Sequence, residues 1–251
     1  MKQFAAMLAG VALVALTAAN ASAFATNSNR PFDNGNLGSL QTILNDNFNN
    51  SVNAVSGQSS AALWQESDGT PTAYAIAALR GDNGVFGVYN PVGVEYVLMN
   101  NPIDNSASSF SINAAGTLFV NNVAVVQNFG PTFGFFWRDT TTPSTAYTED
   151  SKNTGTGTGP NNNIRALTYL VNDGTKLTGN LATYFSTSGQ IAKGNDDWAL
   201  AFEDLTRGDY DFNDAVFYVK DLSPVPEPGT IILLGAGILG LAVYNRRRTK
   251  H

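Results

Sequence analysis

Residues 202–219, FEDLTRGDYDFNDAVFYV, concentrate acidic side chains whose spacing could do chemistry. Carboxylates and one amide alternate after a glycine, and further acids stand on both sides. Hard cations such as Ca²⁺ take six to eight oxygen ligands from closely spaced carboxylates and carbonyls. Ca²⁺ is therefore the one cofactor that we consider, and the candidate ligands are Glu203, Asp204, Asp209, Asp211, Asn213 and Asp214.

Three interpretations of this acidic segment stay open. In the first, the side chains form Asx turns and caps that hold a tight β-turn-β connection. In the second, the same side chains bind Ca²⁺, which would relieve the repulsion between clustered carboxylates. In the third, two carboxylates act as a catalytic pair, as in a glycosidase. The segment is not an EF-hand, since Asp214 stands where that loop requires glycine and Lys220 where it requires glutamate.

Histidine and cysteine usage excludes many other chemistries. The chain has no cysteine, and its single histidine is the last residue, His251. The rest of the chain therefore cannot form a Ser-His-Asp or Cys-His arrangement or a histidine-ligated zinc site. We expect no enzyme, and a carboxylate-pair glycosidase is the one enzymatic alternative that we retain.

Acids outnumber bases 20 to 14, and no basic stripe exists to neutralise phosphates, so we expect no nucleic-acid partner.

Short apolar or alternating runs, separated by turn residues, fill the middle of the chain. This spacing predicts an all-β fold, with a single β-sandwich or jelly-roll-like domain at residues 26–222. The positive-φ tolerance of asparagine predicts a two-residue hairpin turn at Asn121 and Asn122. The predicted strands are 72–79, 84–90, 95–100, 109–113, 116–120, 123–129, 133–139, 164–172, 198–205 and 215–222.

One helix and one long loop interrupt the strand pattern. Leu37, Leu40, Leu44 and Phe48 recur at helical spacing, which predicts a single amphipathic helix at about 37–48 that packs on a sheet. Residues 151–163, SKNTGTGTGPNNN, contain no apolar side chain and predict a mobile loop.

The first 25 residues are typical of a secretory signal peptide. Lys2 precedes an apolar stretch that is short for a membrane span, and small residues then offer cleavage after Ala23 or Ala25. We therefore expect the secretion translocon and signal peptidase as partners, and an exported domain.

Residues 223–251 have three parts. The prolines of 224–228 favour a stiff, extended segment. Residues 229–245 are mostly apolar and predict a short C-terminal transmembrane helix, whose apolar core spans only about 21 Å at ~1.5 Å per residue. A basic tail at 246–251 would stay on the cytoplasmic side of the membrane; its cations are Arg246, Arg247, Arg248 and Lys250.

The order of these parts resembles the PEP-CTERM sorting signal. The carrying residues are Pro226, Glu227 and Pro228, followed by the glycine-containing span and the arginine cluster. In that family, an exosortase of Gram-negative bacteria that make exopolysaccharide recognises the signal. The resemblance implies transient anchoring in the inner membrane with the domain outside the cytoplasm. Cleavage near residues 226–228 and delivery to the cell surface or matrix would follow.

A second resemblance covers the acidic segment itself. WALAFEDLTRGDYDFNDAVFYV, residues 198–219, is similar to the closing segment of domain of unknown function 4114, and the similarity extends over most of residues 60–222. That family occurs in exported bacterial proteins, and its motif suggests calcium binding. The family implies no reaction.

These observations predict an exported surface or exopolysaccharide-matrix protein with a calcium-stabilised β-sandwich. The alternative is a binding module for carbohydrate or another surface ligand, in which Trp64, Trp137 and Trp198 would stack on sugars if exposed. Tryptophan is highly buried on average, so we expect all three in the core.

Overall fold

The computed structural model describes residues 27, 31–67, 70–78, 84–140, 144–153, 163–185, 192, 196–203 and 209–225. Thr26–Val225 forms one compact unit. The predicted signal peptide, the motif at 226–228, the predicted transmembrane helix at 229–245 and the basic tail lie outside the described residues.

The described residues form mostly β-structure. Helix α1 spans Gly38–Phe48, helix α2 spans Gly179–Tyr184, and a 3-10 turn spans Asp150–Lys152. The strands are β1 (Gln58–Ser59), β2 (Trp64–Glu66), β3 (Thr72–Ala78), β4 (Gly84–Tyr89), β5 (Glu95–Asn100), β6 (Ala107–Ile112), β7 (Leu118–Val120), β8 (Val123–Val126), β9 (Gly134–Asp139), β10 (Ser144–Tyr147), β11 (Ala166–Val171), β12 (Asp197–Phe202), β13 (Ala215–Val219) and β14 (Leu222–Pro224).

The strands form two main antiparallel sheets and one small ribbon. The larger sheet has eight strands in the order β1-β11-β12-β13-β3-β6-β7-β8, and the smaller has four in the order β10-β9-β4-β5. Strands β14 and β2 pair separately. The turn between β7 and β8 has positive φ at Asn121 (48°) and Asn122 (65°), which confirms the predicted hairpin. The prediction of an all-β fold is confirmed.

The two main sheets pack face to face across an aromatic core. Phe86 of β4 stacks on Phe217 of β13, with ring centroids 3.8 Å apart. Phe135 of β9 lies 5.6 Å from Phe86 and 5.5 Å from Trp64, measured between ring centroids. Burial of apolar area is the main stabilising term here, at about 1.5–3 kcal/mol for each large side chain.

Helix α1 covers the other face of the eight-stranded sheet. Its buried residues are Leu40, Leu44 and Phe48, one helical turn apart, as the sequence spacing predicted. Phe48 packs on Tyr218 of β13, with ring centroids 5.8 Å apart. The helix ends at Asn49, whose left-handed conformation (φ 48°) stops further helical turns.

Two sequence predictions need correction. The helix at 37–48 is not the single helix of the domain, because α2 follows β11 and buries Leu181; six residues are too few to show a helical period. The loop predicted at 151–163 begins later, since residues 151 and 152 belong to the 3-10 turn and Asn153 is buried. The Asn153 side chain donates to the carbonyls of Tyr147 (2.9 Å) and Asn163 (3.0 Å). Residues 154–162 lie outside the described part.

Candidate metal centre

The acidic segment connects the ends of two neighbouring central strands. Phe202, the last residue of β12, is paired with Ala215, the first of β13. Glu203 follows directly and is anchored through its backbone: its N–H donates to the Arg165 carbonyl (3.1 Å), and the Arg165 guanidinium donates to the Glu203 carbonyl (3.1 Å). Both residues are buried. The position of Glu203 is therefore set by the sheet.

The backbone angle φ alternates in sign along residues 209–213. Tyr210 (φ 56°) and Phe212 (φ 55°) are left-handed, which is unusual for residues other than glycine and carries a cost of about 1 kcal/mol or more each. Packing offsets that cost, since Phe212 is buried and its ring lies edge-on to Phe32 at 5.5 Å. The alternation places the aromatic side chains inward and leaves Asp209 and Asp211 beside each other.

Three carboxylates converge at this turn. One oxygen from each of Glu203, Asp209 and Asp211 lies within 4.8 Å of the others. Glu203 is buried, Asp211 is half-buried and Asp209 is exposed, so the group runs from the sheet end to the surface. Three carboxylates are the hard oxygen ligands that Ca²⁺ prefers, and backbone carbonyls and water commonly complete its shell.

The ionised form of the Asp211 carboxyl is disfavoured at this turn. Burial raises the pKa of its carboxyl above the usual value, and the nearby carboxylates of Asp209 and Asp214 raise the pKa further. The Asn213 backbone N–H and the Ser39 hydroxyl oppose the rise. A cation between the carboxylates would lower the pKa of Asp211, because an adjacent positive charge favours the ionised form.

Hydrogen bonds within the turn are those expected of a structural connection. The Asn213 side-chain amide donates to Asp211 Oδ2 (2.5 Å) and to the Ser39 hydroxyl (2.7 Å). The Asn213 backbone N–H donates to Asp211 Oδ1 (3.3 Å), which closes an Asx turn. Asp211 and Asn213 thus hold the turn together whether or not an ion binds.

A segment from the start of the domain covers the turn. The side-chain amides of Asn34 (3.3 Å) and Asn36 (2.6 Å) both donate to the backbone carbonyl of Asp209. The Ser39 hydroxyl lies 3.4 Å from Asp211 Oδ2. Sequence reasoning missed these three residues, because they precede the turn by more than 170 positions and only the fold brings them together.

The predicted ligand set is only partly assembled. Glu203, Asp209 and Asp211 converge, and Asn213 is bonded to Asp211. Asp214, which directly precedes β13, is not a member of the convergent group found among the described residues. Asp204 lies outside the described residues.

The three tryptophans lie in the core, as expected. Trp64, Trp137 and Trp198 are at most 5% exposed and belong to the cluster between the two sheets. The indole N–H of Trp198 donates to the Leu222 carbonyl (3.0 Å). None of the three can stack on a sugar from this position, so tryptophan gives no support to the carbohydrate-binding alternative.

Among the residues that the structure describes, no helix has both the length and the apolar character needed to cross a membrane. The span predicted at 229–245 is outside that part of the chain.

The described residues define an all-β fold. Comparison with known families then identifies two regions. Residues 127–221 match a domain of unknown function (DUF4114), and residues 224–248 match the PEP-CTERM protein-sorting motif. The chain therefore carries an exosortase sorting signal next to a region similar to that domain, as the resemblances implied. The domain match is shorter than the 60–222 expected and begins after β8. No curated protein and no solved structure matches the chain.

Proposed function

We propose that this chain is a non-enzymatic protein of the cell surface or the exopolysaccharide matrix, whose exported domain is stabilised by Ca²⁺. The sorting motif at 224–248 is the observation that carries the proposal, because it implies export, transient membrane anchoring and handling by an exosortase. The absence of histidine and cysteine from residues 1–250 favours a structural or binding role over hydrolysis.

The described part of the domain ends at Val225, directly before Pro226, Glu227 and Pro228. Strand β14 ends at Pro224, and the Val225 N–H still donates to the Leu63 carbonyl (3.0 Å). Pro226 is the next residue. Cleavage near Pro226-Glu227-Pro228 would therefore remove the apolar segment without disturbing a described strand.

Replacing Glu227 with alanine should leave uncleaved, membrane-held precursor in a host that has the exosortase. The reason is that Glu227 is the charged centre of the motif and thus the residue best suited to ionic recognition. Mass spectrometry and membrane fractionation measure the result. Asp46→Ala, at an exposed acid of α1, is the matched control and should be processed normally. Normal release of the Glu227→Ala chain would contradict exosortase handling at this motif.

Binding of Ca²⁺ at the turn is the second part of the proposal. The ligands would be Glu203, Asp209 and Asp211, whose oxygens already converge. The ion would offset the burial that chiefly raises the pKa of Asp211 and the smaller contributions of the Asp209 and Asp214 carboxylates. It would also hold the alternating backbone of residues 209–213 between the sheet end and the Asn34–Ser39 segment.

Excess Ca²⁺ should raise the melting temperature of the full chain relative to chelator. At a concentration 100 times the Kd, mass action adds about 2.7 kcal/mol, which is about 5–10 °C for a domain of roughly 200 residues. Differential scanning calorimetry measures the shift, and Mg²⁺ serves as the competing ion. Identical melts with Ca²⁺ and chelator, together with no heat of titration, would exclude the site.

The variant Asp211→Asn separates the calcium and structural interpretations. If Ca²⁺ binds, the wild type should melt higher with Ca²⁺ than with chelator, and the variant should lose this shift because the neutral amide is a weaker ligand than the carboxylate. If the turn is only structural, the variant should melt lower by the same amount in both conditions, because the bonds from Asn213 and Ser39 weaken. Asp173→Asn, in the exposed turn after β11, is the control.

A further inference from the structure

A small cavity opens on the outer face of the four-stranded sheet, away from the acidic turn. It has a volume of about 220 Å³ and is lined by Tyr89, Gly93, Glu95, Tyr147 and Lys152. Strands β4, β5 and β10 and the 3-10 turn at Asp150–Lys152 supply four of these residues, and Gly93 lies in the connection between β4 and β5. Rigid elements therefore build most of the cavity wall.

Glu95 presents a fixed hydrogen-bond acceptor to the cavity. Its Oε1 accepts from the Tyr147 hydroxyl (2.5 Å), and its Oε2 is paired with the Arg138 guanidinium. Arg138 is itself oriented, since its Nε donates to the Thr145 hydroxyl (2.9 Å). A carboxylate has about four lone-pair sites, so both oxygens keep acceptor capacity after these bonds. The wall thus holds a pre-oriented acceptor rather than a mobile surface acid.

Lys152 and Tyr89 form the opposite part of the wall. The Lys152 ammonium lies 5.1 Å from the centroid of the Tyr89 ring. That ring packs against the backbone of Gly134, where a Cβ atom would stand 2.4 Å from the ring. The Tyr89 hydroxyl accepts from the Glu149 backbone N–H (3.2 Å) and lies 3.3 Å from the Thr148 hydroxyl. These contacts hold the Tyr89 ring in place. The Lys152 ammonium, a hydrogen-bond donor, is kept at the cavity by its contact with that ring.

The chemistry of the wall decides which class of ligand fits. An apolar molecule would desolvate Glu95 and Lys152 without replacing their hydrogen bonds, which is costly. An anion would meet the Glu95 carboxylate, and a metal ion would find one carboxylate already paired with Arg138. A neutral polyhydroxy compound can donate to Glu95, accept from Lys152 and place its C–H groups against the half-buried Tyr147 ring. The volume is below the roughly 300 Å³ at which pockets for drug-sized ligands begin, which limits the occupant to about one ring.

We propose that this cavity is a subsite for a single neutral sugar residue, bound through Glu95 and Lys152 beside the half-buried ring of Tyr147. The proposal goes beyond export and calcium binding and does not depend on either. It assigns carbohydrate recognition to a tyrosine-lined cavity instead of the buried tryptophans.

Saturation-transfer difference NMR on the full chain tests the proposal, in a detergent without a sugar headgroup. The probes are glucose, galactose and N-acetylglucosamine, compared with glucuronate and inorganic phosphate. We expect saturable transfer from at least one neutral sugar with a Kd of about millimolar, as suits a ligand of some twelve heavy atoms. Failure of the calcium melt or of processing would leave this result unaffected.

Paired variants locate the binding. Lys152→Met keeps the length of the side chain and should weaken binding about tenfold or more, as should Glu95→Gln. Lys176→Met, at an exposed lysine in the turn after β11, should bind like the wild type. No saturable transfer from any neutral sugar, stronger binding of glucuronate or phosphate, or equal affinity in all variants would each overturn the proposal. Because the wild-type titration is decisive by itself, a variant that fails to fold does not hide the answer.

Discussion

Replacing Phe217 with alanine should lower the free energy of unfolding by about 3–5 kcal/mol. Phe217 is fully buried in β13, a central strand of the eight-stranded sheet. Its ring stacks on Phe86 of the opposite sheet at 3.8 Å and lies 6.1 Å from Phe202 and 5.9 Å from Trp137, measured between centroids. The substitution therefore opens a cavity where the two sheets meet, and the surrounding rings can close it only in part.

Urea unfolding followed by tryptophan fluorescence measures this effect, since the three tryptophans are buried in the same cluster. Phe119→Ala in β7 is the matched control. Phe119 is only half-buried and does not belong to either core cluster, so its loss should be clearly smaller. A loss at Phe217 no larger than the loss at Phe119 would show that the sheets do not meet at this residue.

The second large effect is a dependence of stability on pH through Asp197. This residue begins β12, is 1% exposed and accepts a hydrogen bond from the Tyr218 hydroxyl (2.5 Å). The pKa of Asp197 is raised from 3.8 to about 6, chiefly by burial; the Tyr218 hydrogen bond and Lys220 oppose the rise, and Asp196 and Asp221 add to it. Because the folded pKa is higher than the unfolded one, Asp197 contributes stability that is complete below about pH 4 and is lost as the pH rises through 6.

The change from pH 4 to pH 8 should amount to about 2–3 kcal/mol, at 1.36 kcal/mol for each pKa unit, because Asp197 is already partly ionised in the unfolded chain at pH 4. Asp197→Asn cannot ionise, so the difference in unfolding free energy between wild type and variant should shift by that amount across this range. The other acids titrate in both proteins, so their contribution cancels when the two unfolding free energies are subtracted. Tyr218→Phe should move the transition to higher pH, because the hydroxyl no longer favours the carboxylate. Parallel profiles for wild type and Asp197→Asn would contradict the assignment.

The sequence predicts those elements in which the pattern of apolar residues repeats several times. Helix α1 was predictable because Leu40, Leu44 and Phe48 repeat over three turns. Strands β1, β2 and β10 have only two to four residues and no clear alternation, so no pattern marked them. The run predicted at 215–222 is divided in the structure, since Asp221 adopts a positive φ of 62° between β13 and β14. Tertiary packing selected that break.

The two sites differ in how much the sequence reveals. Asp209 and Asp211 are neighbours in the chain, so their spacing alone indicated a shared turn. Glu95 and Tyr147 are 52 positions apart and stand on β5 and β10, the two edge strands of the smaller sheet. They meet only because their side chains reach towards each other across β4 and β9, which lie between these edges. No local sequence pattern predicts that these two side chains meet.

The pairing of β14 with β2 has a mechanical consequence for a protein held at its C-terminal end. Any drag on the domain enters the fold at Val225 and is first carried by the three residue pairs of that ribbon. The ribbon belongs to neither main sheet. Separating β14 from β2 would also pull the buried Leu222 side chain out of the cluster that contains Phe217 and would break the bond from Trp198 to the Leu222 carbonyl. The ribbon therefore resists this load with core packing as well as with its backbone pairs.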